Sequence, residues 1–204
     1  MFSGKTTWLN NTLNDIAVIS NLKCLKIIHD ADDREAKDDK GSTHNIAYNT
    51  MSSKLITTKL KLLAELPNPS DYNTIGIDES QWFPDLYEVV KHWVKDLNIN
   101  VKVAGLSGNY KMEKFGKTTK LIPIATDYKI LRAKCHICLN ENELSYNSDV
   151  SDAPFTMRIA GGDNQNEVGG ADSYKATCLK HHKIYNTPVN GDIVEDITSD
   201  NQES

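Results

Sequence analysis

The chain has 204 residues, 39% of them hydrophobic, and a formal net charge of −5. No run reaches the about eighteen apolar residues of a membrane span, and no basic-then-apolar start marks a signal peptide, so a cytoplasmic protein is expected. The tail from Asp192 to Ser204 holds five acids and no base; without it the body is near neutral, and the basic excess of a nucleic-acid-binding domain is missing.

The chain opens on Ser3-Gly4-Lys5-Thr6, and a helix is predicted to follow, with Leu9, Leu13, Ile16 and Ala17 on one face. Leu22 to Ile28 reads as a short buried strand, residues 30–44 as a charged loop. Residues 52–66 read as a helix, with Leu55, Ile56, Leu60, Leu63 and Ala64 at helical spacing and Pro67 and Pro69 as its stop. Tyr72 to Glu79 reads as a strand ending in carboxylates, Pro84 to Leu97 as a helix, and Ile99 to Leu106 as another strand. Ile122 to Ala125 and Tyr128 to Ala133 bracket the final segment of this domain. Strands alternating with helices predict an α/β domain over residues 1–134, a mostly parallel sheet flanked by helices. From Cys135 the chain turns rich in Asn, Asp, Gly and Ser. That texture predicts a small domain over residues 135–185, held by something other than a large core. Residues 186–204 read as an acidic, disordered tail.

Ser3-Gly4-Lys5-Thr6 matches the end of the phosphate loop G-x-x-x-x-G-K-[ST]. In that motif the glycine lets backbone N–H groups close on the phosphates, the lysine offsets their charge and the hydroxyl ligates Mg²⁺. The following helix turns its positive end to the anion. Taken alone, Gly-Lys-Thr is equally an ordinary helix start. Ile75-Gly-Ile-Asp78 adds weight as an apolar strand ending in an acid, the usual placement of a metal-holding aspartate. Glu79 follows directly, and neighbours on a strand end point to opposite sides, so one carboxylate can face the metal and the other an acceptor hydroxyl. The first glycine of the loop and its feeding strand fall before Met1, so the chain is expected to be short at its start.

Cys135-His-Ile-Cys138 and Cys178-Leu-Lys-His181 are two C-x-x-[CH] knuckles. Four such ligands close a tetrahedral Zn²⁺ site with no open position, a structural metal rather than a catalytic one. His182 is an alternative to His181, and His136, inside the first knuckle, is a weaker one. Reduced cysteines, or a redox pair at Cys135 and Cys138, are the competing readings. Cys24 lies in an apolar strand and reads as core.

At this point the residues resemble a family, the type II thymidine kinases, the cellular and poxviral class with a zinc-held lasso. The matching stretches are Met1 to Thr6, Asp32-Asp33-Arg34, Ser42-Thr-His44, Ile75 to Asp85, Gly105 to Tyr110, Phe115-Gly116, the two knuckles, Phe155 to Arg158 and Gly169 to Tyr174. They keep the family's order up to His182. The resemblance implies transfer of the γ-phosphate of ATP to the 5′-hydroxyl of thymidine. It implies Glu79 as general base and Arg34 as the arginine that stabilises the transferring phosphate. It puts ATP and Mg²⁺ on Met1, Phe2, Ser3, Gly4, Lys5, Thr6, Asp32, Asp33, Arg34, Asp78, Glu79, Ser80 and Gln81. It puts thymine among Met1, Trp82, Leu106, Tyr110, Phe115, Thr156 and Tyr174. The lasso, Gln165, Asn166, Glu167, Val168 and Gly169, is implied to bond the base edge through its backbone. Core packing is the plain alternative for each apolar member. The family resemblance further implies a homo-oligomer, a tetramer, with a structural Zn²⁺ and neither nucleic acid nor membrane as partner. Residues 140–154 look like an insertion, and Trp82 replaces the commoner Phe. The competing function is a catalytically impaired P-loop and zinc-ribbon binding module.

Overall fold

The computed structural model describes residues 2–32, 52–140, 152–160, 169–170 and 172–185. Helix α1 spans Lys5–Ile19, and its buried residues Leu9, Leu13 and Ala17 recur every four positions, so one face meets the sheet. Strands β1 (Cys24–His29), β2 (Leu55–Leu60), β3 (Thr74–Ile77) and β4 (Asn100–Val103) form a parallel sheet in the order β2-β1-β3-β4. Helix α2 is Leu86–Lys95.

The sheet divides the core in two. Leu9, Leu13, Ala17, Cys24, Leu55 and Ala104 cluster on the α1 side. Leu25, Ile27, Ile75, Ile77, Phe83, Leu86, Val90 and Trp93 pack on the α2 side. The central strands are therefore apolar on both faces, as buried parallel strands are, and each such side chain contributes about 1.5–3 kcal/mol when fully buried. On β3 a side chain at Gly76 would collide with Leu13, so α1 lies directly on the sheet there.

Residues 52–66, expected as a helix, are instead β2 followed by a 3-10 turn at Leu63–Glu65. Helical spacing of Ile56 and Leu60 is present, but Ile56-Thr57-Thr58 is a β-branched run that favours extended backbone. Pairing decides the outcome, because β1 runs beside β2 in register from Cys24 with Leu55 to His29 with Leu60. Within β2 only Leu55 is buried. It is an edge of the described sheet, and Lys54, Lys59 and Lys61 guard it against further pairing.

Beyond the sheet, β5 (Ala133–Lys134) pairs antiparallel with β6 (Asp152–Ala153), and β7 (Phe155–Arg158) with β8 (Tyr174–Thr177). Helices α3 (His136–Asn140) and α4 (Leu179–Tyr185) complete this part. Its core is Ala133, Cys135, Cys138, Ala153, Ala176 and Cys178. Alanines and cysteines bury too little apolar area to hold such a unit without a staple. Asp152 and Ala153, from the segment read as an insertion, supply β6. The acidic tail from residue 186 lies outside the described residues. The α/β class, the parallel sheet and the cysteine-rich appendage are as the sequence predicts.

Candidate active site

The phosphate end of the site is built from a curled turn and a helix start. Gly4 caps α1 with φ 76°, and Phe2 also sits in the left-handed region at φ 55°. Glycine takes that conformation without cost, whereas a bulky residue there is strained. The cap offers no side-chain hydrogen bond to the first helical N–H groups, so the positive end of α1 is open to an anion. Lys5 Nζ donates to Ser3 Oγ at 3.3 Å.

The acid expected on β3 meets this turn. Thr6 Oγ1 donates to Asp78 Oδ1 at 3.2 Å, and the Glu79 N–H donates to the same oxygen at 3.0 Å. Lys26 Nζ lies 3.5 Å from Asp78 Oδ2, both side chains being buried. Burial raises the Asp78 pKa and Lys26 pulls against it; Glu79 adds to the rise, and the two hydrogen bonds oppose it. The net direction is upward. Asp32 is buried on the turn after β1, where its carbonyl accepts from Lys59 Nζ at 2.8 Å.

Glu79 has φ 46°, a left-handed backbone for a non-glycine residue at the end of β3. Gln81 Nε2 donates to Glu79 Oε2 at 2.6 Å, and Gln81 Oε1 accepts from the Leu106 N–H at 2.9 Å. The Ser80 hydroxyl pairs with that of Thr118 at 2.8 Å. Here Ser80 and Gln81, expected on the phosphate and metal side, have partners in the turn itself and in the segment after β4.

The aromatic residues expected around thymine fall into two groups. Trp82 and Phe115 meet edge to face with centroids 5.2 Å apart, and His29 lies 6.4 Å from Trp82. Burial lowers the pKa of His29, whose Nδ1 accepts from the Ala31 N–H at 3.1 Å. Tyr110 and Tyr174 share Arg158, whose guanidinium carbon is 5.1 Å from the first ring and 5.8 Å from the second. Gly169 lies so close to Tyr174 that an added Cβ would sit 2.8 Å from the ring. Thr156 is buried on β7. His182 Nε2 donates to the Tyr110 carbonyl at 2.8 Å, tying α4 to the segment after β4.

The metal ligands converge. Cys135, Cys138, Cys178 and His181 are all buried, and their ligand atoms lie within 4.8 Å of one another. Each sulfur is 3.4 Å from His181 Nδ1, and the Cys138 and Cys178 sulfurs are 4.0 Å apart. Tetrahedral zinc with Zn–S near 2.3 Å and Zn–N near 2.1 Å implies about 3.5 Å and about 3.8 Å for these spacings. The residues thus fit a structural zinc. Burial resists ionisation of Cys135, but hydrogen bonds from the backbone of Cys138 and Cys178 and from His181 bring its thiol down to about 6. Burial and then the neighbouring Cys135 push Cys138 up to about 12. Of the two histidines, His181 joins the cysteine cluster, and His182 pairs with the Tyr110 carbonyl instead.

Of the expected site residues, Met1, Asp33, Arg34, Gln165, Asn166, Glu167 and Val168 lie outside the described residues. Sequence reasoning missed Lys26, Arg158, Thr118 and the role of His182. Only Lys26 left a signal: it is the one charge inside Cys24-Leu-Lys-Ile-Ile28.

An open parallel sheet with a helix start, a hydroxyl and two acids gathered at its carboxyl edge defines a nucleotide-binding α/β protein, here with a structural metal module. The thymidine kinase family model matches residues 1–182. A thymidine kinase of Fowlpox virus (strain NVSL) is 32% identical over 182 residues, 88% of this chain and 91% of that protein. Thymidine kinase a of Arabidopsis thaliana is 33% identical over 187 residues, covering 89% and 71%. The cytosolic thymidine kinase of Cricetulus griseus is 32% identical over 178 residues, covering 87% and 68%. The chain belongs to the thymidine kinase family, and its function is that of a thymidine kinase. No helix among the described residues is long and apolar enough to cross a membrane.

Proposed function

We propose that the chain moves the γ-phosphoryl group of ATP in line onto the 5′-hydroxyl of thymidine, giving dTMP, with Glu79 as general base. The observation that carries this reading is the meeting of Thr6 with Asp78 while Glu79 leaves the same strand end in a left-handed turn. Residues 2–6 cradle the triphosphate, with the start of α1 and Lys5 offsetting its charge. Thr6 and Asp78 are hard oxygen donors already side by side, which suits Mg²⁺; they would hold it, and it would screen the phosphate charge. Asp32, Asp33 and Arg34 are assigned to ATP on the family resemblance, with Arg34 stabilising the transferring phosphate; Asp33 and Arg34 lie outside the described residues.

Thymidine is assigned to Trp82, Leu106, Tyr110, Phe115, Thr156 and Tyr174, and on the family resemblance to Met1, which lies outside the described residues. Residues 165–169 are assigned to the base edge on the family resemblance, and 165–168 lie outside the described residues. Glu79 takes the 5′-hydroxyl proton as the oxygen attacks, which requires hydrogen-bond reach to that oxygen. Excluding water from the site during transfer limits ATP hydrolysis. The zinc holds the 135–185 domain and takes no chemical part. The protein works in the cytoplasm as a homo-oligomer, a tetramer.

Glu79→Gln tests the assignment. Turnover is expected to fall by about 10²–10⁴-fold, the usual worth of a general base, while calorimetry still detects thymidine binding. Undiminished turnover in that variant would remove Glu79 from the role.

A further inference from the structure

Gln81 is buried, 5% exposed, in the turn between β3 and α2. Its amide links the candidate base to the segment that follows β4. The amide's orientation is forced by its partners. The Leu106 N–H can only donate, so it faces Oε1, at 2.9 Å. The Nε2 group then faces Glu79, donating to its Oε2 at 2.6 Å. Neither bond survives reversal of the amide.

The surroundings leave this amide no other place. A Cβ at Gly105 would strike the Ser80 hydroxyl and lie 3.0 Å from Gln81 Oε1. Gly116, at φ 61°, packs so closely that its Cβ would strike the Gln81 carbonyl. Two glycines thus admit backbone where side chains would displace Gln81. On the other side, the left-handed turn at Glu79 fixes where its side chain begins, and the amide fixes where its carboxylate ends.

We infer that Gln81 is a positioning residue for phosphoryl transfer: its amide clamps the Glu79 carboxylate to the Leu106 backbone and so sets the base in register with the nucleoside pocket. The inference rests on the reading of Glu79 as general base. A long, three-torsion carboxylate is useful as a base only if held at the reacting hydroxyl, and a misplacement of about 1 Å can cost about 10²-fold in rate. Gln81 touches neither substrate in this account; it acts through Glu79.

The test uses the full chain with Gln81→Met and Gln81→Glu, measured beside Glu79→Gln. Gln81→Met removes both bonds. Gln81→Glu keeps the size and the acceptor for Leu106 but loses the donor to Glu79. Both are expected to lose about 10²-fold in kcat, while KM and the calorimetric Kd for thymidine change by no more than about 3-fold, as expected when only transition-state placement is lost. Gly105→Ala, which presses on the same amide, is expected to lower kcat in the same direction. If Gln81→Met does not fold, as judged by near-ultraviolet circular dichroism, Gln81→Glu decides. Near-normal kcat in the folded variant overturns the inference, and so does a loss of thymidine affinity in step with kcat, which would make Gln81 a binding element. If Glu79→Gln is inactive while the Gln81 variants are not, only the positioning role falls. If Glu79→Gln is itself active, the general-base reading falls with it.

Discussion

Lys26 is a charged residue on a strand whose other members are packed on both faces of the sheet, and it survives there because Asp78 is its partner. Removing one member of a buried pair leaves the other uncompensated, at a cost of about 3–5 kcal/mol. Lys26→Met is therefore expected to lower the guanidinium midpoint of unfolding by roughly that free energy. The double variant Lys26→Met with Asp78→Asn, which buries no charge at all, is expected to regain most of it. The loss also carries a pH signature. Burial already holds the Asp78 pKa above its ordinary 3.8, so the folded state binds this proton more tightly than the unfolded state. The contribution of Asp78 to stability therefore falls as pH rises from about 4 through its folded value. Without Lys26 that value climbs further, and the deficit of Lys26→Met is expected to shrink as pH is lowered from neutral. A deficit independent of pH, and not recovered in the double variant, would mean that Lys26 acts through packing alone.

At the scale of elements, the sequence declared some parts openly and hid others for physical reasons. Helix α1 was legible because Leu9, Leu13 and Ala17 repeat at the helical period, and β3 because an apolar run ends in two acids. Strand β2 was not: Leu55, Ile56 and Leu60 fit a helical face, and only the neighbouring β1 decides the matter. Local pattern cannot report a pairing partner some thirty residues away in sequence. The metal ligands were legible because a knuckle's spacing is its chemistry. The choice of His181 was legible as well, because the C-x-x-H spacing from Cys178 selects it over His182. The link from Gln81 to Leu106 was invisible, for it joins two loops that only the finished sheet brings together. The metal module makes its own prediction. Its apolar core is too small to stand alone, so Cys178→Ser is expected to lose zinc and melt residues 133–185 before the sheet domain, in a two-step thermal transition. With the Cys135 thiol at about 6 and Cys138 at about 12, zinc must displace protons to bind. Retention after dialysis, read by elemental mass spectrometry, is expected to fall as pH is lowered. Zinc retained unchanged at acid pH, or a single undisturbed transition in Cys178→Ser, would contradict the staple.

At the scale of the whole molecule, segments far apart in sequence meet around Tyr110. The sheet domain brings Thr6, Asp78 and Glu79 to one edge; the zinc module brings Arg158, Tyr174 and His182 against Tyr110 from the other side. Helix α4 carries both a member of the Cys/His cluster, His181, and the donor to the Tyr110 carbonyl, His182. The direct measurement is transfer of labelled γ-phosphate from ATP across a panel of deoxynucleosides, with the full chain and with Glu79→Gln. The account predicts label in the 5′-monophosphate of thymidine, in preference to the purine deoxynucleosides, and its loss in Glu79→Gln. Label appearing as inorganic phosphate whatever nucleoside is present, or transfer to thymidine that survives the loss of Glu79, would contradict it.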